Sequence, residues 1–505
     1  MKTDCARECV GGVTRRADGS LGELAPLPHG TVLAQVKSPQ ISKVVLLEGA
    51  DHFGGWLRST RREDGAVFEH GPRGVRPVGA MGRNTLNMVS ELGLESEVLP
   101  VPSDHVASKN RFLFFKGQLH KMPSGLGGLL RTVPPFSRPL LQSILKEIVV
   151  KRGTAEDETV HAFVARRLGV ELADIVIDCL CRGVFAGDCR QLSVRSCFPS
   201  LFNAERTRGS IVLGMVLGTG EERAARILHI YTDFRSGPRV TPSDLAKRSA
   251  KESWTQWSLK RGMQTLPEAL EDALRRTERV EVHRSAPAKG LSRVGSGWEV
   301  KLEDGTVKAD HIISAVPAHV LGSLLPPAAK SLSQQLQKIA MVSIALVNLE
   351  YEGTVLPVTG FGHLVPSSED RGVLGVVYDS VAFPQHNRPG TTTTRITVMM
   401  GGAWFQEEFG KPERLAEQEL LGRATEVVRA HLGLTVEPHW SYVTVLKDCI
   451  PQYHVGHWKR LENIGRCITE HSLPLTLAGA SYDGVSVNDV IFSGRRAAES
   501  LVGKV

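Results

Sequence analysis

Residues 44–56 carry the sequence VVLLEGADHFGGW. The four leading apolar residues form a continuous run, which is typical of a parallel strand buried on both faces. Glu48 closes this run, and the turn that follows is too rich in glycine to be helical. An acidic residue directly after a buried strand is where a dinucleotide-binding fold hydrogen-bonds a ribose hydroxyl. The stretch therefore predicts an α/β fold with a Rossmann-like sheet and a nucleotide cofactor at its edge.

The residues before this stretch depart from that fold. A Rossmann-type domain opens with a strand, a Gly-x-Gly-x-x-Gly loop and a helix, about 20 residues ahead of the ribose acid. Residues 17–22, ADGSLG, come nearest to the loop but lack its first glycine, and residues 9–14 supply a glycine pair without an apolar run. Residues 1–42 also contain three prolines and no sustained period. We therefore predict that the first strand and the phosphate loop are missing and that residues 1–42 form an atypical, disordered N-terminus.

Composition excludes several classes of protein. The chain has 505 residues, of which 41% are hydrophobic and 23% are charged, and this predicts a globular protein of several domains. The net charge of +7 is spread along the chain and gives little support for nucleic-acid binding. The longest apolar runs, residues 211–218 and 339–349, are shorter than the roughly 18 to 20 residues of a membrane span. Eight cysteines are too few for a disulfide scaffold.

A zinc site is one reading of the cysteines. Several metal-binding residue types lie in one part of the chain, namely His161, Cys179, Cys181, Cys189 and Cys197. They contain no Cys-x-x-Cys pair, which zinc sites usually have. We therefore predict buried or surface thiols and no metal site.

Helical periodicity marks residues 84–170. Within them, residues 126–152 combine Leu pairs with five basic residues and one acid. Amphipathic basic segments bind anionic membrane surfaces, and the alternative is an ordinary core helix with a solvated basic face. Alternation at residues 298–302, followed by the hairpin dipeptide Asp304-Gly305, then predicts strands. The pattern indicates a helical insertion in an α/β chain.

Five longer motifs carry a resemblance to a known family. They are GGWLRS at residues 54–59, EHGPRG at 69–74, LCRGVFAG at 180–187, GFGHLVPSS at 360–368 and LAGASY at 477–482. In this order they closely resemble the vertebrate mitochondrial protoporphyrinogen oxidases, which are flavoproteins of the amine-oxidase-like superfamily. The similarity runs from about residue 43 to the end.

The resemblance implies an FAD-dependent oxidoreductase of haem and porphyrin biosynthesis. Its substrate would be protoporphyrinogen IX, which is oxidised to protoporphyrin IX while three O2 are reduced to three H2O2, the penultimate step of haem biosynthesis. It also implies a mitochondrial protein bound peripherally to the inner membrane on the intermembrane-space side, with a homodimer and a contact with ferrochelatase as candidate interactions. Because the N-terminus departs from the family, the alternative is a non-catalytic isoform or misassembled product that lacks FAD and binds at most porphyrinogen or partner proteins.

The expected domain organisation follows the same resemblance. A mixed-sheet substrate domain and a helical, membrane-associated insertion accompany the FAD-binding domain. The predicted segments are the N-terminus at 1–42, the first part of the FAD-binding domain at 43–90, the helical insertion at 91–210, the second part of the FAD-binding domain with substrate-domain segments at 211–330, the substrate-binding domain at 331–455, and the C-terminal part of the FAD-binding domain at 456–505.

The resemblance implies the site residues position by position. Non-covalent FAD would be held by Glu48, Gly49, Trp56, Gly71, Pro72, Arg73, Gly74, Ala288, Ala480, Val485, Ser486 and Val487. The substrate would be held by Arg73, Gly183, Phe361, Leu364 and Met399.

The chemistry of the substrate agrees with this set. Protoporphyrinogen is an apolar macrocycle with two propionates, so its site needs an apolar slot with one or two carboxylate-binding donors. The planar fork of Arg73 can pair with a propionate through two hydrogen bonds. Without the resemblance, Arg73 reads more simply as a solvated surface residue, and Phe361 and Leu364 as core. Because the flavin carries the redox chemistry, no catalytic residue is named.

Overall fold

The computed structural model describes residues 7–12, 41–123, 125–217 and 241–502. Among these residues, no helix is both long enough and apolar enough to cross a membrane. Residues 17–22, which come nearest to a phosphate loop in sequence, lie outside the described residues, so the predicted absence of that loop stays a prediction.

The strands are numbered in chain order. They are β1 Arg7–Gly12, β2 Ile41–Leu47, β3 Ser59–Arg61, β4 Val67–Glu69, β5 Val98–Pro102, β6 Phe112–Phe115, β7 Gln118–Lys121, β8 Trp254–Leu259, β9 Val280–His283, β10 Gly290–Val294, β11 Gly297–Lys301, β12 Thr306–Ala309, β13 His311–Ser314, β14 Ala340–Glu352, β15 Gly362–Leu364, β16 Val373–Val377, β17 Thr393–Gly402, β18 Trp440–Gln452 and β19 Leu475–Leu477.

The α-helices follow the same convention. They are α1 Gly79–Glu91, α2 Val106–Lys109, α3 Gly125–Leu130, α4 Leu140–Val149, α5 Val160–Leu168, α6 Val170–Leu172, α7 Asp178–Phe185, α8 Val194–Cys197, α9 Pro199–Arg208, α10 Ile211–Leu217, α11 Asp244–Lys251, α12 Thr265–Arg275, α13 Ala318–Leu324, α14 Lys330–Gln337, α15 Asp379–Ala382, α16 Phe405–Phe409, α17 Glu417–Leu432, α18 His457–Glu470, α19 Ala480–Asp483 and α20 Val487–Val502.

A parallel sheet has the strand order β19-β13-β1-β2-β9. Residues 44–47 form the buried part of β2, as their continuous apolar run predicts. Their side chains alternate between two cores, with Val44 and Leu46 on one face and Val45 and Leu47 on the other. The predicted α/β fold with a Rossmann-like parallel sheet is therefore confirmed.

The prediction that the first strand is missing is wrong. Strand β1 lies in the centre of the parallel sheet, where Gly12 is paired with Leu47 of β2 and with Ser314 of β13. The prediction required an apolar run, but ladder hydrogen bonds come from backbone groups that nearly every residue supplies, and neighbouring strands can impose strand structure on a weak sequence. The expected disorder of residues 1–42 is correspondingly wrong for residues 7–12 and 41–42.

A mixed sheet has the order β18-β14-β17-β16-β15-β6-β7. Strands β15 and β6 are parallel, and the other neighbours are antiparallel. One face packs against α17 through a core that includes Val347, Val376, Val398, Leu420 and Val427. Helix α17 covers one face of this sheet. The opposite face, called the free face below, is available for contacts with the rest of the chain.

The helices α4 to α10 enclose a smaller core around Phe163 and Phe202. Arg167 is buried there between two acids, with its Nε 2.7 Å from Glu147 Oε1 and its Nη1 3.1 Å from Glu205 Oε1. Glu147 is the one acid of the basic segment 126–152, and it points inward because Arg167 neutralises it. The helices α3 to α9 agree with the helical insertion predicted at 91–210, but residues 98–121 of that segment contain the strands β5, β6 and β7. The membrane association of the insertion stays a prediction.

Candidate functional site

Two predicted nucleotide-binding segments meet at the carboxyl edge of the parallel sheet. Glu48 directly follows β2, and Gly479, with φ of 102°, follows β19 by two residues. Ala478 N donates to Ser314 O at 2.9 Å, which joins the end of β19 to the end of β13. In open parallel sheets ligands bind at this edge.

Glu48 is a buried carboxyl with an exposed fraction of 3%. Burial raises its pKa to about 7, opposed by the backbone N–H groups of Ala50 and Gly49. The Ala50 N–H donates to Glu48 Oε1 at 2.8 Å. The Glu48 carbonyl accepts a hydrogen bond from Ala286 N, also at 2.8 Å, so the predicted residue Ala288 follows two positions after this contact. Ligand hydroxyls that donate to this carboxylate would replace the water it has lost.

The predicted turn at residues 71–74 leaves no room for a side chain at Gly71 and little at Gly74. A Cβ on Gly71 would lie 2.0 Å from the backbone oxygen of Trp56, and a Cβ on Gly74 would lie 3.3 Å from Gln256 Oε1. The Trp56 indole is buried, and its Nε1 has no hydrogen-bond partner among the described residues. A buried donor without a partner is unusual, and it marks a place where a ligand acceptor fits.

The C-terminal predicted residues are fixed by contacts around α19 and α20. The Tyr453 hydroxyl contacts the Ala480 carbonyl and accepts from Gly484 N at 2.9 Å. Ser486 and Asp489 form a cap at the start of α20, with Ser486 Oγ 2.7 Å from Asp489 Oδ2. Asn488 Nδ2, in the first turn of α20, donates to the Arg76 carbonyl at 2.8 Å, which joins α20 to the end of the 71–76 turn.

Two predicted substrate residues, Leu364 and Met399, belong to one row on the free face of the mixed sheet. The strand register places Leu364 opposite Gly375, Gly375 opposite Met399, and Met399 opposite Leu346. Residues directly opposite in adjacent strands share a face. The row ends at Thr444, the partner of Leu346 in β18.

Residues from other segments cover this row. A Cβ on Gly183 of α7 would lie 3.1 Å from Leu364 Cδ2, so the glycine permits the close approach of α7 to the row. Arg73 Nη1 lies 3.8 Å from Met399 Sδ, and Trp56 packs in one cluster with Leu346 and Met399.

At the end of the row, His70 Nδ1 lies 2.9 Å from Thr444 Oγ1. The structure thus brings Trp56 and Arg73 from the flavin set together with Gly183, Leu364 and Met399 from the substrate set. Glu48 and Ala288 lie apart from them at the sheet edge. Phe361 lies just before β15, where its carbonyl accepts from Tyr378 N at 3.0 Å.

Sequence reasoning missed the partner of Arg73. Arg73 Nε lies 2.8 Å from Asp379 Oδ1, and both side chains are about nine-tenths buried. Thr397 Oγ1 lies 2.6 Å from Asp379 Oδ2 and donates its proton to that carboxylate. No sequence signal joins Asp379 to Arg73, because their contact depends on the meeting of two distant segments.

Cys189, one of the residues considered for a zinc site, is hydrogen-bonded to another side chain of the protein. The buried Cys189 thiol donates to Asp178 Oδ1 at 3.4 Å, and Ser367 N donates to Asp178 Oδ2 at 2.6 Å. Burial raises the pKa of the Cys189 thiol, so this side chain stays protonated at neutral pH. Asp188 completes this acid and thiol group. The prediction of no metal site stays a prediction.

Comparisons with known proteins cover nearly the whole chain. The sequence profile of the flavin containing amine oxidoreductases matches residues 38–502. The chain is 52% identical over 474 residues to protoporphyrinogen oxidase of Homo sapiens, covering 92% of this chain and 94% of the relative. It is 25% identical over 472 residues to coproporphyrinogen III oxidase of Bacillus subtilis, covering 90% of each.

Solved structures share the fold. A crystal structure from Exiguobacterium sp. 255-15 superposes with a TM-score of 0.76 at 21% identity, covering 99% of this chain and 100% of that one. Cyclohexylamine oxidase from Brevibacterium oxydans gives a TM-score of 0.65 at 14% identity, with 99% of both chains covered. At these identities the likeness concerns the fold alone.

Proposed function

The chain belongs to the protoporphyrinogen oxidases within the flavin-containing amine oxidoreductase family, and from this premise we propose that it oxidises protoporphyrinogen IX to protoporphyrin IX in haem biosynthesis. Six hydrogens leave the substrate, and three O2 accept them as three H2O2. The observation that carries the proposal is the row Leu364, Gly375, Met399 and Leu346, which is covered by Trp56 and Arg73 at one apolar site.

FAD is the cofactor, and the residues present fit it. The desolvated carboxyl of Glu48, the buried unpartnered Nε1 of Trp56 and the tight turn at Gly71 are features that a bound dinucleotide would satisfy. Glu48 would hold the adenosine ribose, and Trp56, residues 71–74 and residues 485–487 would hold the flavin half. When bound, FAD supplies the acceptor for the substrate's electrons and returns them to O2.

The protein's own residues bind and orient the substrate. Arg73 offers guanidinium N–H groups to a propionate in a buried setting, where a charge-assisted hydrogen bond is strong. Leu364 and Met399 supply an apolar floor under the macrocycle, and Phe361 lies just before β15. This floor also excludes water from the reacting face of the substrate.

The alternative of a non-catalytic product without FAD was based on a missing central strand and a missing phosphate loop. Strand β1 occupies the central position, so the first ground no longer applies. The second ground concerns residues outside the described part of the chain. The decisive experiment is to purify the 505-residue chain, add FAD, and record bound flavin together with the yield of fluorescent porphyrin and of H2O2. We expect three H2O2 per porphyrin. An FAD-loaded chain that forms no porphyrin would refute the oxidase, and a chain that binds porphyrin but no FAD would restore the alternative.

The same proposal includes peripheral attachment to the mitochondrial inner membrane on its intermembrane-space side. Helix α4 packs against α3 and α10, and together these helices leave large apolar side chains exposed: Leu130 is 60% exposed, Leu145 57%, Val149 80% and Met215 72%. The basic residues Arg131, Arg138 and Lys146 lie in the same segment. Apolar area combined with positive charge favours an anionic membrane surface.

Vesicle flotation tests this part. The FAD-loaded full chain should float with vesicles that contain an anionic lipid such as cardiolipin and stay behind with neutral vesicles. Reversing Arg131, Arg138 and Lys146 to Glu should abolish flotation. Reversing three other basic residues, Lys308 of β12, Lys330 of α14 and Lys338 directly after α14, should not. Equal flotation of both triple variants would remove α3 and α4 from the membrane contact. A homodimer and a contact with ferrochelatase stay predictions from the resemblance.

A further inference from the structure

Asp379 is a buried acid that is not among the predicted site residues. It begins the short helix α15, directly after β16 and Tyr378, and has an exposed fraction of 7%. Its two carboxylate oxygens have separate partners, since Oδ1 lies 2.8 Å from Arg73 Nε and Oδ2 lies 2.6 Å from Thr397 Oγ1. Thr397 is in β17, two residues before Met399. Asp379 is therefore held on one side by the sheet and holds Arg73 on the other.

This contact leaves the outer edge of the Arg73 guanidinium unpaired. A guanidinium has five N–H donors in one rigid plane. The Nε atom forms an ion pair with Asp379 Oδ1 at 2.8 Å, but its N–H does not have hydrogen-bond geometry toward that oxygen. Nη1 contacts the sulfur of Met399, a weak acceptor, at 3.8 Å. The Nη2 group is buried without a hydrogen-bond partner among the described residues. The two Nη groups are thus the donors left for a ligand.

We propose that Asp379 is a positioning residue, which fixes the Arg73 guanidinium so that its Nη edge meets a substrate carboxylate, and thereby makes the site select a tetrapyrrole with free propionates over its ester. The inference rests on the proposed function. Without Asp379, the guanidinium would lose its ion-pair partner, and the long Arg73 side chain could rotate to pair with other groups. Binding of a substrate carboxylate would then be weakened by the free-energy cost of reordering the arginine, in addition to the cost of desolvating the carboxylate.

The test compares two substrates in three purified FAD-loaded proteins: the wild type, Asp379→Ala and Asp379→Asn. The substrates are protoporphyrinogen IX and its dimethyl ester, which lacks both carboxylates. We expect Asp379→Ala to raise KM for the diacid about 10- to 100-fold, with kcat nearly unchanged and KM for the ester unchanged. Asp379→Asn should restore part of the affinity, because it keeps a polar oxygen beside Arg73 and an NH2 that can donate to Thr397 Oγ1, while it lacks the charge of the carboxylate.

A second variant keeps the test open if Asp379→Ala fails to fold. Thr397→Val has nearly the shape of threonine and removes the hydroxyl that contacts both Asp379 Oδ2 and Asn348 Oδ1. It should raise KM for the diacid by about 2- to 5-fold and leave the ester unaffected. Bound FAD and the thermal midpoint show that each variant is folded. Equal losses with both substrates, or an Asp379→Asn variant as impaired as Asp379→Ala, would overturn the inference.

Failure of the proposed function is visible separately. If the wild type oxidises neither substrate, the oxidase proposal fails. The positioning inference is then judged from the equilibrium binding of protoporphyrin IX and of its dimethyl ester, measured by porphyrin fluorescence. A diacid affinity that falls in Asp379→Ala and recovers in Asp379→Asn would still support it, and an unchanged affinity would refute it.

Discussion

Proline at position 10 tests the central strand directly. Val10 lies in the middle of β1, paired with Val45 of β2 on one side and Ile312 of β13 on the other. Proline has no backbone N–H and fixes φ near −65°, so it is confined to edge strands, first strand residues and bulges. Val10→Pro should therefore disrupt the parallel sheet where Gly12, Leu47 and Ser314 meet at its carboxyl edge.

The loss of folding free energy in Val10→Pro can be estimated from the backbone hydrogen bonds of β1. The variant loses one net hydrogen bond of about 1 kcal/mol, and it leaves a buried carbonyl unpaired at about 1 to 3 kcal/mol. The changed φ distorts the flanking pairs on both sides, for a total of about 3 to 6 kcal/mol. A domain is stable by only about 5 to 15 kcal/mol, so bound FAD should fall sharply.

The assay is FAD content after gel filtration, together with urea unfolding and hydrogen exchange of residues 41–47. Val10→Ala is the matched control, because it keeps the backbone N–H and should retain FAD. Exchange of residues 44–47 should accelerate in the proline variant alone. Wild-type FAD content and wild-type exchange in Val10→Pro would show that β1 does not lie between β2 and β13.

Three further results are expected. Gly71→Ala should lose bound FAD because its Cβ would lie 2.0 Å from a backbone oxygen, whereas Gly422→Ala, which has open space around it, should not; equal FAD affinity in the two variants would contradict this. Burial raises the pKa of Glu48 from 4.5 to about 7 in the folded, FAD-free protein. The protonated carboxyl therefore stabilises the fold fully below the unfolded pKa, and this contribution is lost as the pH rises through 7. Urea unfolding at pH 5 and pH 8 should show this change in the free energy of unfolding, and Glu48→Gln should remove up to about 3 kcal/mol of it. Arg73→Ala should lower kcat/KM for protoporphyrinogen about 10- to 150-fold at unchanged flavin content, whereas the exposed Arg76→Ala should have little effect; equal losses would remove Arg73 from the site.

Local patterns predicted the elements whose signals lie within a few residues. The apolar run at 44–47 gave β2, and Asp304-Gly305 gave the hairpin between β11 and β12. Strand β1 was missed because its structure comes from pairing with β2 and β13, which its own composition does not encode. Tertiary context overrides local preference most strongly in the centre of a sheet.

The site shows the same division. The resemblance named Leu364 and Met399, but only the strand register shows that both lie in one row with Gly375 between them. Gly183 was expected to line the macrocycle, and the structure gives it a further role, since its missing side chain lets α7 approach Leu364. Asp379 had no local signal at all, because an acid paired with a distant arginine looks like any other acid in the sequence.

The segment 69–76 explains how an edge of one sheet and a face of another form a single site. The buried Glu69 accepts from Ser59 Oγ and Met263 N, both at 2.8 Å, and its carbonyl accepts from a side chain of β14. Gly71 packs against the backbone of Trp56, and the Arg73 side chain contacts Met399 of β17. The Arg76 carbonyl accepts a hydrogen bond from α20. Successive residues of this short turn thus join different, distant elements. A side chain at Gly71, which the backbone of Trp56 leaves no room for, would separate the nucleotide edge from the substrate row even where each sheet remained folded.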